Sequence, residues 1–433
     1  MAERVDSLYR GASELVALTD GPPRGAVRGA ELARAEPIPD ASIAVRSGKV
    51  VSVGPGSELQ ARFHAETEVD LSGYVVVPGF VDCHTHPVFA ETREEEFTLR
   101  CQGADYVEIA KQGGGILSSV RALRAAGEED LAGQIADRLR RFLSLGTTTI
   151  EAKSGYGLST QSELKSLRAL GRAAGASPLT VSATFLGAHE LAPEYREDPE
   201  AYIELLVSEM LPEARPMADS CDAFVEEHVF GLRQSAKILG AARELGYRLR
   251  VHVDEIVPLG GTEMVVGLGA ASADHLVKVS DRGIHELAES ATTAVLLPGT
   301  SFFLRKKDHA PARRLIDAGA ILALATDYNP GSCFTQSMPM IATLARIHFG
   351  LSPAECLNAM TRNAAYSLGF DGDRGTLHPG KAADFAVLDL PSFQAFGYSF
   401  GDNPVVMTVK DGVPVALNRT DFEPELSAQI SGI

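Results

Sequence analysis

The stretch "VVVPGFVDCHTHPVF", residues 75–89, decides how the rest of the chain is read. An apolar run passes through Pro78-Gly79 into a second run that ends on His84 and His86. Alternate residues of a strand project to the same face. Both imidazoles are therefore expected to enter one space at the C-terminal end of a strand. Two explanations compete there: histidines satisfied by local hydrogen bonds, or ligands of a metal ion.

Downstream, short apolar runs alternate with amphipathic helical patterns, the signature of repeated βα units. The strand candidates are "GFVDCHTH", "TTTIEAKSG", "LTVSATFLGAH", "DAFVEEHVF", "RLRVHVDEI", "ASADHLV", "TTAVLLPG" and "AILALATDYNP". Between them, patterns such as "LAGQIADRLRRFLSLG" and "RQSAKILGAARELG" carry apolar residues at helical spacing and end in Gly. Eight strands are the number that closes a (β/α)8 TIM-like barrel. The chain ends read differently. "ASIAVRSGKVVSVGPG" is a strand, a Ser-Gly turn and a strand, and "KAADFAVLDL" with "PVVMTVKDGVPVAL" repeats the style near the C-terminus. The expected organisation is a small β-sandwich domain built from residues 1–77 and 373–433, with the barrel, residues 78–372, inserted between its halves. The longest connection, residues 87–131, follows the His pair directly, where a lid or binding loop is expected.

Composition narrows the function. Of 433 residues, 45% are hydrophobic and 22% charged, as in a soluble globular protein with a full core. A net charge of −17 without a Lys/Arg-rich stripe argues against nucleic acid as a partner. No apolar run is long enough to span a bilayer, and the N-terminus lacks a basic start followed by an apolar segment. Cys83, Cys101, Cys221, Cys333 and Cys356 are scattered without a CxxC pair. That pattern fits reduced thiols and a cytoplasmic location.

In a barrel the chemistry sits at the C-terminal ends of the strands. Those ends here carry His84 and His86, then Lys153 and Tyr156, His189, "EEHVF", His252 and Glu255, Asp274 and His275, and finally Asp327, Asn329 and Ser332. Singly, each has an ordinary reading as a core hydrogen bonder or a turn cap. Together, histidines and carboxylates at matching ends of different strands converge on one space, which packing alone does not require. Imidazole and carboxylate ligands suit one divalent ion, Zn²⁺ or Fe²⁺. The four-ligand set is His84, His86, His252 and Asp327, with a position left for water. Cys83 alternates with the histidines and is expected to face away. A metal that acidifies water makes the reading hydrolytic.

These residues resemble the amidohydrolase superfamily, whose landmarks "PGFVDCHTH", "HVDE", "DH", "TD" and "GTLHPGKAADFAVLD" run through the whole chain. The set "HTHPVFAETREEEF", "EAKSGYGL", "GAHELAPEY" and "ATDYNPGSC" narrows the resemblance to its ring-opening branch in histidine degradation. The resemblance implies that water opens the cyclic amide of 4-imidazolone-5-propanoate to give N-formimino-glutamate. It implies Arg93 as anchor of the propionate, against the ordinary reading of an exposed arginine among acidic neighbours. Tyr156 and His189 become substrate contacts, Glu255 holds a ring nitrogen, and Asn329, Gly331 and Ser332 line the pocket. Asp327 doubles as ligand and proton shuttle, and His275 stabilises the developing alkoxide. A homodimer is also implied.

Glu255 is three residues beyond His252, so strict alternation points it away; it reaches the site only where the strand has become loop. Relatives with two metals carry a lysine at the end of strand four. Here Lys153 is on strand two, and strand four offers Glu226 and His228, for which buried hydrogen bonding is expected. "KQGGGILSS" lacks the context of a phosphate loop, so Gly113 to Gly115 are expected to turn a loop near the substrate. Three rivals remain at this level. A deaminase of a heteroaromatic base such as guanine or cytosine shares the histidines, but its substrate has no carboxylate for Arg93. Another cyclic amidase or lactonase is compatible with the site, and a non-catalytic scaffold relative would be expected to have lost ligands.

Overall fold

The computed structural model describes residues 2–104 and 114–419. Five strands open the chain: β1 (Glu3–Leu15), β2 (Ile38–Arg46), β3 (Lys49–Pro55), β4 (Phe63–Asp70) and β5 (Val75–Pro78). Eight more follow: β6 (Phe80–Asp82), β7 (Thr147–Lys153), β8 (Thr180–Ala188), β9 (Ser220–Val225), β10 (Arg248–Val253), β11 (Ser272–His275), β12 (Thr293–Leu296) and β13 (Ile321–Leu324). The last three are β14 (Phe385–Leu388), β15 (Val405–Lys410) and β16 (Val413–Leu417).

β6 to β13 form one parallel sheet in sequence order. Its edges meet just beyond the strands, where Asp327 N donates to His84 O (3.0 Å) and His86 N to Tyr328 O (2.8 Å). Asp82 adds a side-chain clasp, accepting from Thr326 N (3.0 Å) and Thr326 Oγ1 (2.5 Å). These bonds close the eight-stranded barrel and place the His84–His86 segment directly against the Asp327 segment. The strands are largely buried and mostly apolar, with a few charged residues among them, because helices cover the outside. Leu167, Ile238, Leu287, Leu315 and Leu357 supply that outer core. Cys83 packs in an outer cluster with Ala364, Ala365 and Leu368, away from the barrel interior.

Both chain ends build one mixed sheet in the order β16-β15-β14-β5-β1-β2-β3, with β4 beside β1. The sheet curls onto itself. Tyr9 of β1 packs edge-on against Phe385 of β14 (4.8 Å between centroids), although β5 lies between those strands. A shared core of Leu15, Ile43, Val76, Val387 and Val409 fills the fold.

The described part of the connection after the His pair is not a plain loop. It contains helices Glu94–Cys101 and Ile116–Ala125. "EEEFTLRC" puts three Glu in the first turn and Arg100 in the last, which complements the helix dipole. Gly115 precedes the second helix at φ +82° and donates from its N–H to Glu96 Oε1 (2.9 Å). Gly113 lies outside the described residues. No described helix is long and apolar enough to cross a membrane, and the five cysteines are free.

Candidate metal and active site

His84, His86 and Asp327 meet at the closure of the barrel. His84 Nε2 is 3.3 Å from His86 Nε2 and 3.5 Å from Asp327 Oδ1, and His86 Nε2 is 3.4 Å from the same oxygen. Tetrahedral ligands at metal–nitrogen distances of 2.0–2.1 Å are separated by ~3.3–3.4 Å, so the three donor atoms already have the spacing a small cation needs. One donor atom from each of His84, His252 and His275 also falls within 4.8 Å of the others. All five residues are buried.

The atoms behind them fix which nitrogen faces inward. His84 Nδ1 bonds Asp274 Oδ2 (2.7 Å), and His252 Nδ1 lies 2.9 Å from Asp222 Oδ2. A carboxylate on Nδ1 leaves the Nε2 lone pair for a metal and makes it more basic. Asp222 in turn lies 2.8 Å from Lys153 Nζ, which bonds Glu151 Oε1 at 2.5 Å. Arg250, fully buried, donates to Cys83 O (2.6 Å) and approaches Glu151. Glu151, Asp222, Asp274 and Asp327 face two cations, Lys153 and Arg250. The carboxylates outnumber these cations, an acidic balance that suits a bound cation. The residues fit a metal ion in donor type and spacing.

Proton occupancy follows from the same neighbours. Burial would raise the Asp327 carboxyl, but bonds from His84 and His86 hold it well below the usual range. Burial likewise opposes ionised Asp222, and the charges on His252 and Lys153 outweigh it. His86 is pushed down to about 4 by burial, and His189 lies well below its ordinary value for the same reason. His84 is opposed by burial and Lys153, yet its bonds to Asp274 and Asp327 raise it to about 9. Asp82 is pushed up to about 7 by burial.

Two of these residues occupy the left-handed region, His275 at φ +76° and Asp327 at φ +54°. For residues other than Gly this costs on the order of 1–3 kcal/mol each and gathers at functional sites. His275 Nε2 is buried with no hydrogen-bond partner.

Glu255 reaches the site, and the reason is visible. β10 ends at Val253 and Asp254 adopts φ +49°, which breaks the alternation. The Asp254 carboxylate pins the turn through Thr262 N (2.9 Å) and Thr262 Oγ1 (2.6 Å). Glu226 Oε1 accepts from Glu255 N (3.1 Å) and Ile256 N (2.7 Å). Glu255 then lies 3.6 Å from His275 Nδ1 and 2.7 Å from Lys306 Nζ. Glu226 thus has the buried hydrogen-bonding role expected of it. His228 does not: β9 stops at Val225 and His228 is exposed on the turn beyond.

His189 stacks on His86 (5.2 Å between centroids), its Nδ1 3.0 Å from Gly155 O, and buried Tyr156 packs beside both rings. Arg93 crosses Gly331 so closely that a Cβ there would lie 2.1 Å from its Nη1. Its Nη2 bonds Glu96 (2.6 Å), while its Nε is buried and unpartnered. Asn329 uses its side chain on the loop itself, accepting from Gly331 N (2.8 Å) and Ser332 N (2.7 Å) and donating to Ser332 Oγ (2.7 Å). The sequence reading missed the support layer: Glu151, Asp222, Arg250 and Lys306. Charged residues inside otherwise apolar buried strands were the signal for the first three.

Residues 75–415 match the amidohydrolase family. The chain is 47% identical over 414 residues to the imidazolonepropionase of Symbiobacterium thermophilum, covering 94% of this chain and 96% of the relative. It is 45% identical over 408 residues to that of Herpetosiphon aurantiacus, covering 92% and 95%. Among solved structures, an adenosine deaminase from Xanthomonas campestris with bound zinc superimposes with a TM-score of 0.71 at 20% identity, covering 100% of this chain and 98% of that one. At that identity the likeness concerns the fold.

Proposed function

The chain belongs to the imidazolonepropionases of the amidohydrolase family, and from that premise we propose a residue-level mechanism for opening 4-imidazolone-5-propanoate. The enzyme is a hydrolase of histidine degradation, and the deaminase reading is not favoured by relatives at this identity. Water adds across the ring amide. The C–N bond breaks, the carbonyl carbon becomes a carboxylate, and the nitrogen leaves with the formimino carbon as N-formimino-glutamate.

We assign His84, His86, His252 and Asp327 as ligands of one ion, Zn²⁺ or Fe²⁺. His252 is preferred over His275 as the fourth because Asp222 orients its Nδ1 at 2.9 Å, whereas Glu255 stands 3.6 Å from His275. When bound, the ion supplies Lewis acidity towards a carbonyl oxygen and a water molecule. Asp327 takes the proton of the attacking water and returns it to the leaving nitrogen. Its Oδ2 is aligned by Thr300 Oγ1 at 2.5 Å. The unpartnered His275 Nε2 stabilises negative charge developing on the carbonyl oxygen. Glu255 accepts a hydrogen bond from the ring. Arg93 binds the propionate through its unpartnered edge, beside Tyr156 and His189. Gly331 leaves room for that guanidinium, and Asn329 and Ser332 shape the same wall.

The triangle of His84, His86 and Asp327 donor atoms carries this reading. A cytoplasmic homodimer is part of the proposal. The five free cysteines support the location, and light scattering of the purified protein would measure the assembly. The test of function is turnover of freshly generated 4-imidazolone-5-propanoate, followed by mass spectrometry. N-formimino-glutamate without ammonia is the expected product; ammonia release from guanine or cytosine instead would overturn the assignment.

A further inference from the structure

Resting on that reading of Glu255, we propose that Lys306 is a positioning residue for the reaction, holding the carboxylate of Glu255 in its working orientation. Lys306 Nζ lies 2.7 Å from Glu255 Oε1, while Oε2 faces His275 Nδ1 at 3.6 Å. The backbone of Glu255 is already fixed by Glu226. A glutamate has three side-chain torsions, and on that fixed backbone Lys306 restrains the end of the side chain. A bond at Oε1 directs the free lone pairs of Oε2 inward.

Lys306 is itself held rather than loosely exposed. Its N–H bonds Ser301 O (2.9 Å) at the end of helix Pro298–Phe303. The preceding Arg305 stands at φ +57° and donates to Arg100 O (3.3 Å) and Cys101 O (3.5 Å). Phe303 stacks on Phe97 of helix Glu94–Cys101, 4.7 Å between centroids. The segment carrying Lys306 is thereby fastened to the helix that begins immediately after Arg93. One surface of packed residues joins the tail anchor to the support of the ring contact.

The experiment compares wild type, Lys306→Met, Lys306→Arg, Glu255→Gln and the double variant Lys306→Met/Glu255→Gln with 4-imidazolone-5-propanoate as substrate. Lys306→Met keeps the apolar stem and loses the cation. It should lower kcat by about 10–100-fold, the usual effect of removing an orienting partner, with KM changed less than about 3-fold. Metal content and unfolding midpoint should not move. Lys306→Arg should recover most of kcat, and the double variant should be no slower than Glu255→Gln alone. Wild-type kcat in Lys306→Met, or a loss confined to KM, overturns the positioning role and makes Lys306 a surface or substrate-binding cation. Wild-type protein without turnover, or Glu255→Gln at full rate, overturns the underlying reading as well, and the series separates the two failures.

Discussion

Asp222→Asn is the sharpest probe of the layer beneath the proposed metal ligands. Asp222 Oδ1 accepts from the backbone N–H of His252 (3.2 Å), while Oδ2 meets both His252 Nδ1 (2.9 Å) and Lys153 Nζ (2.8 Å). Asparagine keeps one acceptor and turns an NH₂ towards two donors. Two losses follow. His252 loses the carboxylate that orients it, which costs about 10–100-fold in metal affinity, or roughly 1.4–2.8 kcal/mol. Lys153, fully buried, keeps Glu151 as its remaining partner, and breaking one arm of a buried ion network costs about 3–5 kcal/mol of stability. Chelator competition reads the first loss and urea unfolding of the metal-free protein reads the second. Lys153→Met/Asp222→Asn should regain much of the stability because the orphaned ammonium is gone, but none of the metal affinity. Wild-type affinity in a folded Asp222→Asn variant would refute the orienting role. Full recovery of affinity in the double variant would show that only stability had been at stake.

Other expectations follow from the same geometry. Arg93→Ala should lower kcat/KM for the propionate substrate by 10-fold or more, yet leave an analogue lacking the carboxylate nearly unaffected; equal losses would make Arg93 structural. Gly331→Ala pushes the flexible end of Arg93 rather than backbone, so KM should rise while stability changes by less than about 1 kcal/mol. An unchanged KM would remove Gly331 from the site. For the metal-free protein, acidification should weaken folding between about pH 6.5 and 4. His86, His189 and His252 have pKa values lowered by burial, so the unfolded chain takes up protons that the native state refuses. His84, raised by Asp274 and Asp327 despite its burial, contributes fully below pH 6.5 and loses that contribution only towards pH 9. Asp82, raised to about 7 by burial, and Glu163, Glu190 and Glu226, raised by burial, offset part of this uptake, while His348 and His378, lowered by burial, add to it. Urea midpoints at pH 7.5, 6.0 and 5.0 that rise on acidification would contradict this.

Much of the fold was legible because its determinants are local. Eight apolar runs separated by amphipathic helices announce a barrel, and each run became a strand. The His84–His86 pair was legible for the same reason, since a two-residue period needs no knowledge of the fold. Its meeting with Asp327 needed barrel closure, which the eight-strand count supplied. The support layer was legible only as a signal without partners. Asp222, Glu151 and Arg250 are charged residues inside otherwise apolar buried strands, and apart from Lys153, two residues from Glu151, the groups they meet lie tens to hundreds of residues away. Only the register of neighbouring strands, Arg250 beside Asp222 and His252 beside Asp274, puts them at the same depth. Glu255 shows the limit of period counting. A single left-handed residue, Asp254, reversed the direction that alternation assigned to it. Lys306 had no signal at all, because a lysine in "FFLRKKDH" is ordinary surface sequence until the fold lays it against Glu255.

We propose that one divalent ion, held by His84, His86, His252 and Asp327, is required for ring opening. The most direct test strips the purified protein with a chelator and titrates Zn²⁺ or Fe²⁺ back while following turnover of 4-imidazolone-5-propanoate. Activity should vanish on stripping, rise in proportion to added metal and stop rising at one equivalent per chain, with His252→Ala failing to respond. Turnover that survives stripping, or that needs a second equivalent, would contradict a single essential metal at this site.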